Sequence, residues 1–345
     1  MGLVNTLKFS SNSGAIITDE EFFIGGRRRV HTSDNLQSLL SEEMSNELGM
    51  EAVFGGIGNL SVVSEVISGI KALLNEQYSQ YRKSGDEKKI FRSIEDVARV
   101  SLKIFQKISH DRVNKKLYGL LGFSIDDFNR GYYESEGEKI EIKDDRIISK
   151  ALDIILMKDS GMKNISELEA IVIGTDREFG FNAFDFYGGM THLYISTSLY
   201  NAVGAGATST SLAFSNLINS LTLDHRRNGM DRVAGMVELI RITNQTALKN
   251  SEVGGYYDIV FIDGTGRNRK ERYTEVTGDR SQLLKEIVGA YDNGFISKDI
   301  CYQLTEKIIF SSDEFNFREA ENFFFSNATD TEKLNLYLRG YKINN

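Results

Sequence analysis

Apolar residues near the start of the chain occur in short runs separated by turn-forming residues. The runs at 15–17 and 22–24 are separated by four polar residues, and the second run closes at Gly25 and Gly26. Short apolar runs bounded by turn residues are typical of buried strands. The pattern therefore predicts a hairpin of two buried strands. Residues 50–54, which end at a second glycine pair, predict a further strand.

After this glycine pair the hydrophobic period changes to that of a helix. Apolar side chains recur three or four positions apart over residues 60–74, and Asn59 is placed to cap the first turn. Ser93 is followed three residues later by Asp96, which is the spacing of a capping box at the start of a second helix. The sequence therefore predicts two consecutive helices.

Strands and pairs of helices alternate over the rest of the chain. A polar, mostly helical stretch is predicted at about 111–167, and helices are predicted again from 281 onward. Between them, strands are predicted at 169–174, 181–186, 191–196 and 256–262, with two helices at 212–221 and 233–248. Because a doubly wound parallel sheet alternates single strands with single helices, this order favours an α+β fold whose sheets are covered by helix pairs.

Four short segments, in this order along the chain, resemble segments of proteasome subunits and their bacterial relatives. They are a strand that ends in a small-residue step before basic residues, two glycine turns that lead into helices, and a late glycine pair before a strand. The matching residues are 22–30, 54–59, 202–207 and 254–264. The resemblance implies a four-layer αββα sandwich of the N-terminal-nucleophile hydrolase class over residues 1–278. Two segments lie outside the resemblance and are predicted to be a helical insertion at about 111–167 and a helical C-terminal extension over 279–345.

The chemistry implied by this family uses an N-terminal threonine, serine or cysteine that self-cleavage exposes and whose own α-amino group acts as the base. Counting back from the Gly-Gly-Arg step places this nucleophile at Ser11, with Thr6 and Ser10 as the alternatives in another register. Arg28 is the second candidate catalytic residue, because an arginine can bind a carboxylate or phosphate through two hydrogen bonds. The simpler interpretations are that Ser11 forms a polar turn and that Arg28 forms surface ion pairs.

Several positions depart from the family pattern where the family carries reactive groups. Arg27 stands where the family has a carboxylate, and Ala205 stands where it has a serine. Asn250 and Val253 stand where it has an aspartate and a serine, and residues 30–50 contain no lysine opposite the catalytic one. We therefore predict a non-catalytic subunit of a homo-oligomeric ring or shell.

Two other functions remain open at the level of sequence. The chain is a serine-type peptidase or amidohydrolase acting on peptides or proteins if it is cleaved before Ser11. Alternatively, it is a small-molecule enzyme whose new pocket uses side chains such as Arg28 and Tyr257, since function does not follow from fold.

The net charge and the cysteine and histidine content bear on which partners and cofactors the chain binds and where in the cell it is located. The formal charge of −8 disfavours binding to nucleic acid or to anionic membranes, and no apolar run has the length of a spanning helix. Cys301 is the only cysteine, so we expect no disulfide and a cytoplasmic location. The four histidines are scattered and Gly206 is followed by no Lys-Ser or Lys-Thr pair, so we expect no metal and no cofactor. The first residues match the loose pattern for N-myristoylation at Gly2.

Overall fold

The structure is a mixed α/β fold built on antiparallel sheets. This computed structural model describes residues 2–24, 28–31, 35–86, 90–156, 167–187, 194–195, 199–311 and 315–338. The strands within these ranges are β1 Leu3–Lys8, β2 Ser13–Asp19, β3 Glu21–Ile24, β4 Arg28–His31, β5 Leu36–Ser38, β6 Glu51–Gly58, β7 Tyr132–Ser135, β8 Glu138–Glu141, β9 Leu168–Asp176, β10 Gly180–Tyr187, β11 Tyr194–Ile195, β12 Tyr200–Gly204, β13 Tyr257–Asp263 and β14 Tyr273–Val276.

Helices account for most of the remaining described residues. The predicted caps are confirmed at two of them: the Asn59 side chain accepts the Ser61 N–H, and Ser93 forms a capping box with Asp96. The helices are α1 Glu42–Leu48, α2 Leu60–Ser84, α3 Ile94–Leu121, α4 Ile125–Arg130, α5 Asp145–Ile155, α6 Ala207–Ser220, α7 Leu223–Asn228, α8 Arg232–Lys249, α9 Arg269–Arg272, α10 Gly278–Asp292, α11 Lys298–Ile309, α12 Phe317–Ser326 and α13 Thr331–Tyr337.

Two five-stranded antiparallel sheets form the centre of the molecule. The first sheet has the strand order β12-β1-β2-β13-β14, and the second has the order β11-β10-β9-β6-β5. In the first sheet Leu3 pairs with Gly204 of β12, and Val4 pairs with Thr18 of β2. β1 is therefore an interior strand, with hydrogen-bonded neighbours on both sides.

The strand pairing corrects the predicted hairpin. Residues 15–17 belong to β2, which pairs with β1 and β13, whereas residues 22–24 belong to β3, which pairs with β4 as a separate two-stranded unit. The prediction that these two runs pair with each other is wrong, because the sequence pattern concealed β1. The double glycine Gly25–Gly26 lies outside the described residues.

Alternating side chains of each strand divide the core into three hydrophobic clusters. Val4 and Val260 of the first sheet meet Val53 and Ile171 of the second sheet in one cluster between the sheets. The intervening residues of the first sheet pack against α6, α8, α10 and α11, and those of the second sheet pack against α2 and α3. Both sheets thus bury both of their faces, as the continuous apolar runs predict.

The two segments that the resemblance does not cover differ in how they join the core. The segment after α3 carries α4, α5 and the hairpin β7–β8, and it has a small cluster of its own around Phe123. The prediction of a mostly helical stretch missed this hairpin. Helices α10 to α13 share the large cluster that covers the first sheet. The domain division at 278 stays a prediction. Over the described ranges, no helix combines the length and apolar content needed to cross a membrane.

Candidate functional site

Ser11 lies in the exposed turn that joins β1 to β2. Its carbonyl oxygen accepts the Phe181 N–H at 2.8 Å, while the neighbouring Ser10 hydroxyl accepts the N–H of Asn12 at 3.2 Å and of Ser13 at 3.1 Å. Cleavage before Ser11 would detach β1, an interior strand, from the covalent chain. The catalytic role of Ser11 stays a prediction, and this position gives it no structural support.

The other candidate residues from the sequence do not gather around Ser11 in the described structure. Thr6 is buried within β1, where its hydroxyl donates to the Ala15 carbonyl at 2.9 Å. Arg28 lies on β4, and its side chain is outside the described part of the chain, as is all of Arg27. Their predicted roles therefore rest on the sequence alone.

The glycine turn at 202–207, predicted from the resemblance, lies at the start of β1. The Ala205 N–H donates to the Gly2 carbonyl at 3.1 Å, and the Asn250 carboxamide donates to the Ala205 carbonyl at 2.8 Å. Gly204 has a φ of +105°, and a Cβ there would lie 2.2 Å from the Gly2 oxygen. Only glycine permits this close approach, so the turn holds the first strand residue in place.

A buried carboxylate, that of Asp19 at the end of β2, joins the start of β1 to the late glycine pair. Asp19 Oδ1 accepts the Leu3 N–H at 2.7 Å, and Oδ2 accepts the Gly254 N–H at 2.9 Å. The Asn35 side chain donates to the Asp19 carbonyl at 3.3 Å. Two main-chain donors thus compensate the burial of this negative charge, as a buried carboxylate requires.

The described residues around Gly2 make structural contacts. Gly2 has no side chain, Ala205 contributes a methyl group, and the Asp19 and Asn250 side chains are engaged by main-chain groups. Nucleophilic hydrolysis needs a hydroxyl or thiol beside a base, and these four residues supply neither a hydroxyl nor a thiol.

Asp19 and Asn35 were missed by the sequence analysis. Residues 18–21 have the pattern of a polar turn, because three consecutive acids are typically solvated. The alternation of β2 extends as far as Asp19, but no local pattern shows that this acid meets main-chain donors from residue 3 and residue 254. That information is contained in the tertiary pairing only.

A cavity of about 390 Å³ lies beside the late glycine pair, lined by Gly254, Gly255 and Lys285 among others. The Lys285 ammonium donates to the Gly255 carbonyl at 2.6 Å and lies 4.6 Å from the centre of the Tyr257 ring. Tyr257 itself is fully buried, and its hydroxyl donates to Asn244 Oδ1 at 2.9 Å. The Tyr257 hydroxyl is therefore not exposed to a ligand.

Comparisons with known proteins find similarity in structure only. No family model matches the chain, and no curated protein matches it. Anbu (ancestral beta-subunit) from Yersinia bercovieri is similar with a TM-score of 0.52 and 12% identity, over 85% of this chain and 94% of that one. A mutant of Anbu from Hyphomicrobium sp. strain MC1 has a TM-score of 0.52 and 12% identity, over 85% of this chain and 96% of that one. Another Anbu structure from this organism has a TM-score of 0.50 and 13% identity, over 85% of this chain and 94% of that one.

These comparisons correct the family assignment that the sequence resemblance implied. The prediction that the chain is a member of the proteasome-subunit family is wrong, because neither a family model nor a curated protein supports it. What the chain shares with the Anbu structures is a proteasome-like fold, at 12–13% identity. The mixed α/β architecture that the sequence predicted is confirmed at this level.

Proposed function

We propose that this chain is a non-catalytic protein that forms a closed assembly with copies of itself. The observation that carries the proposal is the start of β1, where a built framework of glycine turns and a buried carboxylate surrounds a residue without a side chain. Asp19 accepts hydrogen bonds from the Leu3 and Gly254 N–H groups, so it is committed to positioning the backbone. Loss of chemistry with retention of the framework is what a scaffold role requires.

We also propose that the sheets and helices stack as a four-layer αββα sandwich of the N-terminal-nucleophile type. Support comes from the alternation along single strands. In β13, Val260 belongs to the cluster between the sheets, whereas Ile259 and Phe261 belong to the cluster under the helices. In β6, Val53 belongs to the cluster between the sheets, whereas Phe54 belongs to the cluster under α2 and α3. A cytoplasmic location is part of the proposal and is consistent with the free thiol of Cys301.

Mass spectrometry and an activity assay test the absence of catalysis. We expect the purified chain to retain its first ten residues, to remain unlabelled by a serine-reactive β-lactone, and to leave fluorogenic peptides uncleaved. The alternative, a peptidase or amidohydrolase matured before Ser11, predicts a chain that begins at Ser11. It also predicts peptide cleavage that is lost in Ser11→Ala. Either of these two results would refute the proposal.

Self-association is supported by two exposed leucines, one on α6 and one on α7. Among the fourteen residues of α6 only Thr210 and Phe214 are buried. Leu212 on α6 is 65% exposed and Leu223 on α7 is 70% exposed. Exposed apolar side chains can be buried in a contact between proteins, and copies of one chain usually associate with closed symmetry.

Light scattering measures this association directly. At micromolar concentration we expect a mass that is a whole multiple of 38.8 kDa. Leu212→Asp introduces a charge into the proposed contact and should shift the mass toward that of one chain. Leu248→Asp is the matched control, since Leu248 is 85% exposed on α8 outside α6 and α7. A strictly monomeric wild-type protein contradicts the proposed assembly.

A further inference from the structure

A polar cavity of about 650 Å³ lies at one edge of the two sheets. Its lining comes from the first sheet at β13 and β14, from the second sheet at β5, and from α2 and α9. Neither Asp19 nor Gly2 lines it, so it is distinct from the framework at the start of β1. A volume of this size accommodates a small organic molecule.

One wall of this cavity carries three carboxyl groups: Glu20, Asp258 and Glu275. Asp258 is 2% exposed, and among the described residues no N–H donor and no hydroxyl donor reaches either of its carboxylate oxygens, which have only the Glu20 carboxyl beside them. Burial, followed by the charges of Glu20 and Glu275 and then contact with the Glu20 carboxyl, raises the pKa of Asp258 to about 7. A buried polar group without a partner costs free energy, and such groups are rare in native structures.

Two cations, Lys71 and Arg269, also line this cavity. Lys71 on α2 donates to Gln37 Oε1 at 2.7 Å, and it has no carboxylate within ion-pair distance in the part of the chain that the structure describes. Burial, with the charge of Arg269 added, lowers the pKa of Lys71. Arg269 is committed elsewhere, because it donates to Leu40 and Ser38 and lies 3.8 Å from the Glu51 carboxylate. Lys71 is therefore the cation whose charge is left uncompensated.

A bound metal ion does not explain this pattern. Among the described residues, no group of three or more histidine, cysteine or acidic side chains has the arrangement of a metal site. A metal ion would also leave the Lys71 ammonium without a counter-charge. A ligand that pairs with both Asp258 and Lys71 must carry a donor-rich cation at one end and an anion at the other.

We propose that this cavity binds a small zwitterion of amino-acid or dipeptide size, with its ammonium group at Asp258 and its carboxylate toward Lys71. An ammonium supplies up to three N–H donors to carboxylate oxygens that the protein leaves unpaired. The ligand carboxylate neutralises Lys71 in a half-buried position, where an ion pair is less screened than at the surface. Tyr273 also lines the cavity, where its hydroxyl donates to Glu275 Oε2 at 3.3 Å and the Arg269 guanidinium lies 5.1 Å from the centre of its ring.

Titration calorimetry on the full chain with three matched peptides tests both ends of the ligand. We expect Ala-Ala to bind, N-acetyl-Ala-Ala to lose at least about tenfold in affinity because it has no cation, and Ala-Ala-amide to lose affinity because it has no anion. Free alanine separates an amino-acid site from a dipeptide site. Binding that is equal for all three peptides, or absent for each up to about 10 mM, overturns the proposal.

Variants assign the two ends of the ligand to Asp258 and Lys71. Asp258→Asn should abolish the preference for Ala-Ala over its acetylated form, and Lys71→Met should abolish the preference over the amide. Asp153→Asn and Lys83→Met are the matched controls, because both residues lie on exposed helical surface away from the cavity. If Asp258→Asn fails to fold, Lys71→Met and the peptide series still decide. Unchanged selectivity in Lys71→Met, or binding of Mg²⁺ alone that excludes Ala-Ala, overturns the proposal.

Affinity should also depend on pH in a direction that Asp258 sets. The charged and titratable groups that line the cavity around Asp258 are Glu20, Glu275, Tyr273, Arg269 and Lys71. Because the ammonium group pairs with the ionised carboxylate, and because the α-amine of Ala-Ala itself loses its proton near pH 8, Ala-Ala should bind about three- to fivefold more weakly at pH 6 than at pH 8. This weakening at pH 6 should disappear in Asp258→Asn, and its persistence there would overturn the assignment of the ammonium end.

Discussion

The unpartnered carboxyl of Asp258 predicts that its removal stabilises the protein above neutral pH. Burial and the charges of Glu20 and Glu275 raise the pKa of Asp258 from 3.8 to about 7 in the folded state. Between about pH 4 and pH 7 the folded chain therefore holds a proton that the unfolded chain has already released. The free energy of unfolding falls as pH rises through this window, and the full cost is present above about pH 7.

The size of the effect follows from the pKa shift. One pKa unit corresponds to about 1.4 kcal/mol, so the shift from 3.8 to about 7 sets an upper bound of about 4 kcal/mol at high pH. At pH 5 only about one unit of the difference is expressed. Asp258→Asn keeps the shape of the side chain and removes the charge. Its stability relative to the wild type should therefore rise by about 2 to 3 kcal/mol between pH 5 and pH 8.

Urea unfolding of both proteins at pH 5 and pH 8, followed by circular dichroism, measures this difference. Asp153→Asn, an exposed acid on α5, should show no such change between the two pH values. The reasoning is refuted if Asp258→Asn differs from the wild type by the same amount at both pH values, or if it is the less stable protein at pH 8. Such a result would mean that Asp258 is not a buried acid without a partner.

Three further predictions concern the framework at the start of β1 and the single thiol. Asp19→Asn replaces one acceptor oxygen by an amino group, which then faces a main-chain N–H. This substitution should lower the free energy of unfolding by about 2 to 4 kcal/mol, and an unchanged urea midpoint would contradict it. Gly204→Ala places a Cβ 2.2 Å from the Gly2 carbonyl oxygen at a φ of +105°, and it should lower the free energy of unfolding by at least about 3 kcal/mol. Gly119→Ala is the control, because a Cβ there meets open space, and it should raise the free energy of unfolding by up to about 1 kcal/mol in the same urea assay. Cys301 is fully buried, and burial raises the pKa of its thiol to about 12. At pH 8 the thiol should therefore react with a chromogenic disulfide reagent only when urea unfolds the chain, and rapid reaction of the folded chain would contradict its burial.

The helices could be predicted because their signals are local. The apolar period of α2 and the caps at Asn59 and Ser93 each depend on residues within a few positions of one another. A capping side chain satisfies an N–H two or three residues away, so the sequence contains both partners of the interaction. The start of α2 and the start of α3 are confirmed at the predicted caps.

The first strand could not be predicted, because its polar residues are satisfied by distant partners. β1 buries Asn5 and Thr6 among its apolar residues. Asn5 donates to the Thr243 hydroxyl at 3.2 Å, a contact across 238 positions. Without these partners the segment resembles a polar chain end, and the strand pairing was shifted from β1 to residues 22–24 as a result. Ser11, the predicted nucleophile, lies at the far end of β1 from the glycine turn at 202–207.

Two buried acids, Glu51 and Asp258, differ in whether the protein itself supplies their hydrogen-bond donors. Glu51 is fully buried, and it accepts the hydroxyl protons of Ser45 at 2.6 Å and Ser38 at 3.2 Å, with Arg269 3.8 Å away. Burial raises the pKa of Glu51, and each of these partners acts against that rise. At Asp258 every influence on the pKa acts in the same direction as burial. Within the described residues, Glu51 thus receives hydroxyl donors and a nearby guanidinium, whereas Asp258 has only other carboxyl groups beside it and shares its cavity with Lys71, which forms no ion pair there. This is the charge arrangement of a site that a ligand completes.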